Sequence, residues 1–341
     1  MKALPLSISL FIYCLCHLVV DAASIALILG GIDVRADLLT YIILYNVLAF
    51  GLQLPFGMLA DKFKNPVIIS FIGCLVLAIA LLSYKNALFA TVLAGVGNAL
   101  FHIGGGTISL NYKPKRAALP GVFVASGGIG LFFGGFMVKY HGFYPGIFVF
   151  LLLALAFIQV FLKAPVIDYE IKKTASLKLF HLIVIFLLVI ICIRSFIGLS
   201  LNFNWKSVPN LAILLVISSA LGKGLGGFLA DYFGWIKISV GGLALAALLL
   251  YFGNAFAIAG IIGVFLFNFT MSVTLVAISN LFPGRPGFAF GLTTCALLIG
   301  ALPTFFLNNA FFASNVVSMA FVLFSAILLY VALKLYSNAN C

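Results

Sequence analysis

Long apolar blocks alternate along this chain with short clusters of charge, glycine, proline and asparagine. Twelve such blocks stand near residues 4–30, 38–59, 66–83, 87–110, 117–138, 144–162, 180–201, 209–230, 237–252, 256–279, 286–308 and 314–333. A helix needs about 20 apolar residues to cross ~30 Å of hydrocarbon. The pattern therefore predicts twelve transmembrane helices with short connections, an all-α membrane protein. The longest polar connection, 164–179, follows the sixth block and divides the chain into bundles 1–163 and 180–341.

Composition excludes a soluble fold, because 65% of residues are hydrophobic and only 8% charged, where soluble domains carry about 25%. The net charge of +12 offers no water-exposed basic face with interleaved aromatics, so no nucleic-acid partner is expected. The charge instead sets orientation. With the N-terminus cytoplasmic, thirteen basic residues fall inside: Lys2, Lys62, Lys64, Lys113, Lys115, Arg116, Lys163, Lys172, Lys173, Lys178, Lys237, Arg285 and Lys334. Only Arg35, Lys85, Lys139 and Lys206 fall outside, which predicts both termini on the cytoplasmic side of the cytoplasmic membrane. Residues 2–20 have some features of a cleaved leader, but the apolar run continues to Leu29 and holds His17 and Asp21, so it reads as a retained span. The six cysteines, Cys341 among them, contain no CxxC pair and predict neither a disulfide framework nor a zinc site.

An internal repeat relates the halves. Gly57-Met58-Leu59-Ala60-Asp61 returns as Gly227-Phe228-Leu229-Ala230-Asp231, an offset of 227 − 57 = 170. The same offset pairs Asn98 with Asn268 and Gln53 with Lys223. The segments GMLADKFKN and GFLADYFGWIK resemble the G-x-L-A-D-[RK]-x-G-[RK] motif of the major facilitator superfamily and its second copy. They depart from it at Lys64, where glycine is usual, and at Tyr232, where a base is usual. The resemblance implies a six-plus-six pseudo-symmetric fold working by alternating access. It also implies that Gly57, Asp61 and Lys62, with Gly227 and Asp231, form a conformational latch at helix ends.

Two further segments, His17-Leu-Val-Val-Asp21 and Phe101-His102, resemble the fosmidomycin-resistance branch of that superfamily, a group of proton-driven exporters. Ser126-Gly127-Gly128-Ile129-Gly130-Leu131-Phe132-Phe133-Gly134-Gly135 resembles its glycine-rich antiporter motif, with Leu131 where proline is usual. These matches imply proton antiport.

Ionisable groups inside a bilayer are costly and are functional candidates. Asp21 and His17 lie four apart, hence on one helical face, and form a candidate proton-coupling pair. The plainer alternative is a hydrogen bond that stiffens the helix. Arg194, in the seventh block, maps by the offset to position 24, within a turn of Asp21. It is expected to pair with Asp21 or hold an anionic substrate, the alternative being a guanidinium snorkelling to the interface. Asn46, Asn98, His102, Gln53, Lys223 and Asn268 complete the candidate substrate-binding set, though Lys223 can snorkel and Asn46 can serve helix packing. Gly222-Lys223-Gly224-Leu225-Gly226-Gly227 fits GxGxxG but lacks the strand a dinucleotide site needs. No GxxxxGK[ST] occurs, so no ATP coupling and no cofactor are expected.

The expected function is proton-coupled export of a small organic or drug-like anion by a monomeric transporter, not an enzyme. Uptake by symport is one alternative. A second is a divalent transition-metal transporter of the same fold, with His17, Asp21 and Cys192 as ligands. A lipid-modifying enzyme fits worst, since Asp168 and Glu170 are a solvated loop pair.

Overall fold

The computed structural model describes residues 6–32, 37–171, 177–306 and 314–339. Among the predicted inner and outer charges, Lys2, Arg35, Lys172 and Lys173 lie outside the described residues, as does Cys341. The described regular structure is helical, with no strand. In chain order the α-helices are α1 (Leu6–Ala26), α2 (Leu38–Asn46), α3 (Gln53–Phe63), α4 (Pro66–Leu82), α5 (Ala87–Asn111), α6 (Ala118–His141), α7 (Pro145–Val160) and α8 (Leu177–Ser200). There follow α9 (Pro209–Phe233), α10 (Trp235–Tyr251), α11 (Ala257–Phe267), α12 (Thr270–Leu281), α13 (Pro286–Ala301), α14 (Pro303–Phe306) and α15 (Asn315–Ala339).

Nine continuous helical stretches among the described residues are long and apolar enough to cross a membrane, and exposed side chains such as Phe11, Phe133 and Ile258 give them apolar outer faces. At three of the twelve expected positions the helix is shorter: Pro66–Leu82, Pro145–Val160 and Trp235–Tyr251. The chain is thus an integral, multi-pass membrane protein. Several spans are not uniform rods. The first ends in a π-helical turn, Leu27–Gly31, and the second carries another, Val47–Gly51, between α2 and α3. The tenth breaks at Asn268 and Phe269 between α11 and α12. The eleventh divides at Leu302 into α13 and α14, and Pro303 accounts for the stop because it cannot donate to the preceding turn.

Local sequence explains the boundaries. Asn65 and Asn86 cap α4 and α5 by accepting from Ile68 N and Phe89 N, each at 3.2 Å. Proline opens α4, α7 and α9, where its missing N–H is not needed. At the end of α3, Lys64 takes the left-handed conformation with φ +56°, and Gly234 closes α9 with φ +100°. These two positions differ by the repeat offset of 170 (234 − 64). The glycine usual at the first of them is therefore the residue that its backbone favours.

The chain forms two compact units. The first contains residues 1–114, 126–170 and 284–295. Its core includes a close α4–α5 interface in which Gly73 meets the backbone of Gly97 and Phe101, and Gly104 that of Pro66 and Ser70. Below it, Ser70 donates to Gln159 Oε1 at 2.6 Å and Gln159 donates to Cys16 Sγ at 2.9 Å. The second unit contains residues 115–125, 171–283 and 296–341. There α10 packs on α15 and α11, and α15 on α8. Trp205 stacks on Phe203, and Asn254 donates to Asn315 Oδ1 at 3.0 Å.

Candidate functional site

In the first unit, α1 supplies His17 and Asp21, and α5 supplies Asn98 and His102. Each pair is four residues apart, which stacks its members on one helical face. All four side chains are buried. His17 Nε2 lies 2.9 Å from His102 Nε2 and 3.3 Å from Asp21 Oδ2, while His102 Nε2 lies 3.7 Å from Asp21 Oδ1. The second nitrogen of His102, Nδ1, sits 2.9 Å from the Asn98 carbonyl oxygen. A carbonyl only accepts, so the ring hydrogen of His102 is on Nδ1 and its Nε2 lone pair faces the cluster. With both rings neutral, His17 Nε2–H is the donor between them. Asn98 Nδ2 donates to Asp21 Oδ1 at 3.0 Å and to Ser24 Oγ at 3.4 Å, which fixes the carboxylate.

Helix α6 reaches this cluster because it lacks side chains where it meets α1. A Cβ on Gly127 would run into His17 Nε2 and Asp21 Oδ2, and one on Gly130 or Gly134 into the carbonyl of Leu18 or Ala22. The glycine-rich stretch thus lays its backbone directly on the polar face of α1. Among the described residues, His17, Asp21 and His102 are the group whose ligand atoms converge enough for a single metal ion, all within 4.8 Å of one another. Cys192, the third ligand expected from sequence, lies in the second unit, where Gly300 packs on its backbone.

The second unit holds a cavity of about 370 Å³. Arg194 and Ser195 of α8, Lys223 and Ser219 of α9, Lys206 and Asn268 give it polar lining, and Leu215, Val264, Phe267 and Met271 give it an apolar wall. No carboxylate lines it. Arg194 is only 8% exposed, and its Nη1 donates to Thr274 Oγ1 at 3.2 Å. Thr274 in turn donates to the backbone of its own helix. A guanidinium carries five N–H donors, and the described acceptor of this buried cation is the single neutral hydroxyl of Thr274. Asn268 donates to the Val264 carbonyl at 2.8 Å, at the break between α11 and α12. Asp21 belongs to the first unit and Arg194 to the second.

Two other sequence candidates turn to their own helices. Asn46 Nδ2 donates to the Ile42 carbonyl at 2.8 Å. Gln53 is fully buried and donates to Ala49 O at 2.7 Å, leaving its Oε1 without a hydrogen-bond partner.

Asp61 and Asp231 hold helix starts. Asp61 accepts from Gly287 N and Phe288 N, both at 2.8 Å, and Asp231 accepts from Ala117 N at 3.0 Å and Ala118 N at 2.9 Å. The exposed N–H groups and positive end of a helix favour a carboxylate there. Gly57 and Gly227 allow the approach, since a Cβ on either would strike the carbonyl oxygen of Gly287 or Ala117. A turn further along, Gly291 lies on the Gln53 carbonyl and Gly121 on that of Lys223. Every one of these contacts maps onto its counterpart by the offset of 170, as 287 − 117 and 291 − 121 illustrate. Lys62 is exposed in the last turn of α3. The second copy adds Trp235, whose Nε1 donates to Asp231 Oδ1 at 3.1 Å, and Arg116, which donates to the Asp231 carbonyl at 3.1 Å. No motif or spacing in the sequence marks Trp235, Thr274 or Ser24. Applying the offset to Ala117 would have located the Gly287 amide.

No protein-family model matches this sequence, and no curated protein matches it either. Solved structures do match. The fucose:proton symporter FucP of E. coli superposes with a TM-score of 0.70 at 12% identity, covering 96% of this chain and 98% of that one. A major facilitator superfamily structure of FucP in an outward conformation gives 0.66 at 12% identity over the same shares. The human organic anion transporter MFSD10 gives 0.69 at 14% identity, covering 98% of this chain and all of that one. The fold is that of major facilitator transporters.

Proposed function

We propose, from the fold shared with major facilitator transporters, that this chain exchanges a small organic or drug-like anion for protons across the cytoplasmic membrane by alternating access. The observation that carries the proposal is Arg194, a buried guanidinium opening on a cavity with two lysines and no carboxylate in its lining. Such a cation is stabilised by an anion that fills its remaining donors. The organic anion transporter among the structural neighbours has the same fold, which agrees with an anionic solute. In this reading Arg194, Lys223 and Asn268 contact the solute. Asp21 and His17, with His102 beside them, take the coupling proton.

The moving bodies are 1–163 and 180–341, joined by 164–179, with both termini cytoplasmic and the monomer as the working unit. Asp61 and Asp231 are the latches, and Asp61 stabilises the outward-facing state. The test uses proteoliposomes loaded with an organic anion and an internal pH dye. Interior acidification as the anion leaves identifies antiport, and alkalinisation identifies symport. Anion exit with no pH change in either direction removes proton coupling, and no exit of any anion from a broad panel removes the proposal.

A further inference from the structure

We infer that His17, Asp21 and His102 form a binding site for a divalent transition-metal ion of the zinc class. Metal–nitrogen and metal–oxygen bonds of about 2.0 to 2.2 Å, set tetrahedrally, place ligand atoms about 3.3 Å apart. The two imidazole nitrogens stand 2.9 Å apart, His17 approaches Asp21 Oδ2 at 3.3 Å and His102 approaches Oδ1 at 3.7 Å, so the carboxylate faces both rings and one ligand atom from each residue lies within 4.8 Å of the others. Two imidazoles and one carboxylate suit zinc, cobalt, manganese or iron better than calcium or magnesium, which favour all-oxygen shells.

Two further features are those of a built site. The ligands have supporting partners: His102 Nδ1–H donates to the Asn98 carbonyl, and Asn98 Nδ2 donates to Asp21 Oδ1. Such contacts set tautomer and orientation in metal centres. The second feature is Gly127. A Cβ there would run into His17 Nε2 and Asp21 Oδ2, so the glycine keeps any side chain of α6 off the two ligand atoms. Binding through both Nε2 lone pairs moves the His17 ring hydrogen from Nε2 to Nδ1, and a water or solute completes the shell in a fourth position. The inference goes beyond anion exchange and does not need it, since the site binds the ion whether or not the chain transports.

The test is titration of the purified full chain in detergent with Co²⁺, whose visible d–d bands report low-symmetry coordination, followed by displacement with Zn²⁺. One Co²⁺ per chain is expected, with no sulfur-to-metal band. His102→Gln and Asp21→Asn should abolish binding. Asn98→Ala, which leaves all three ligands in place, should weaken it by about 10- to 100-fold. Because the ligand variants can disturb folding, each is compared with wild type by thermal melting and gel filtration without metal. Gly127→Ala, with the ligand set intact, supplies an independent loss of binding. Only the weak bands of aqueous Co²⁺ at millimolar ion, with no intense d–d absorption, overturn the inference, as does binding untouched by these variants. A sulfur-to-metal band lost in Cys192→Ser overturns the ligand set. Co²⁺ binding without anion exchange in the proteoliposome assay would leave this inference standing and remove the transport proposal. Exchange without Co²⁺ binding would do the reverse.

Discussion

His17 and His102, 85 residues apart in sequence, meet through their Nε2 atoms at 2.9 Å, with the Asp21 carboxylate beside both. Converting Asp21 to asparagine keeps a similar shape and removes the charge that the two rings share. Asp21→Asn is expected to abolish proton-driven anion flux while counterflow of labelled anion against unlabelled anion continues. Measuring both in one proteoliposome preparation separates coupling from binding. Coupled flux at wild-type rates would remove Asp21 from the mechanism.

Arg194 predicts opposite signs for stability and binding. Its buried charge has Thr274 as its hydrogen-bonded acceptor, and replacing a poorly compensated buried ion by an apolar side chain is often neutral or stabilising. Arg194→Met should therefore melt at or above the wild-type temperature without solute. It should also lose at least about 2 kcal/mol of anion binding, roughly 30-fold in affinity. Unchanged anion affinity by calorimetry would show that the guanidinium is not the anion's partner.

The two aspartate clamps predict a selective exchange pattern. Asp61→Asn should speed amide hydrogen exchange at Gly287 and Phe288 while leaving Ala117 and Ala118 protected, and Asp231→Asn should do the converse. Each substitution puts an amide group where two N–H donors point, at a cost of about 1 to 2 kcal/mol. The clamps would prove to be one cooperative unit if either variant exposed both pairs equally.

Lys64 holds a left-handed backbone with φ +56°, a conformation that costs a side-chain-bearing residue about 1 kcal/mol or more. Lys64→Gly is expected to raise the melting temperature slightly, and Gly234→Lys to lower it. Thermal unfolding of both variants checks the pair.

Tyr169 lies in the connection after the sixth span, with the Asp61 carboxylate near it and the Lys64 ammonium 5.9 Å from its ring centroid. Burial, aided by the charge of Asp61, pushes its hydroxyl up to about 12. An unfolded tyrosine ionises near pH 10, so the unfolded state loses this proton first and stability falls between pH 10 and about 12. Tyr169→Phe removes a buried hydroxyl that has no hydrogen-bond partner. Its melting temperature should decline less than that of wild type over this pH interval.

Periodicity and spacing carried much of this arrangement. Apolar block length locates the helices, and the 170 offset, visible in ten residues of sequence, relates the contacts of the two aspartate clamps. The four-residue spacing of His17 and Asp21 puts them on one face without any coordinates. That His102 joins them depends on α5 packing against α1, a tertiary fact to which single-sequence spacing is blind. Gln53 and Asn46 illustrate the converse, because a polar residue in a membrane helix can satisfy itself on its own carbonyl ladder and look identical in sequence to one facing a cavity. The π-helical turn at Val47–Gly51 left no signature in hydropathy.

Helix α6 packs on α1 through glycine at Gly127, Gly130 and Gly134, so bare backbone lies against the turns that carry His17 and Asp21. Glycine has no side chain to rearrange. This wall of the buried carboxylate therefore cannot adapt by changing rotamers, and any enlargement of the polar cluster has to move a helix.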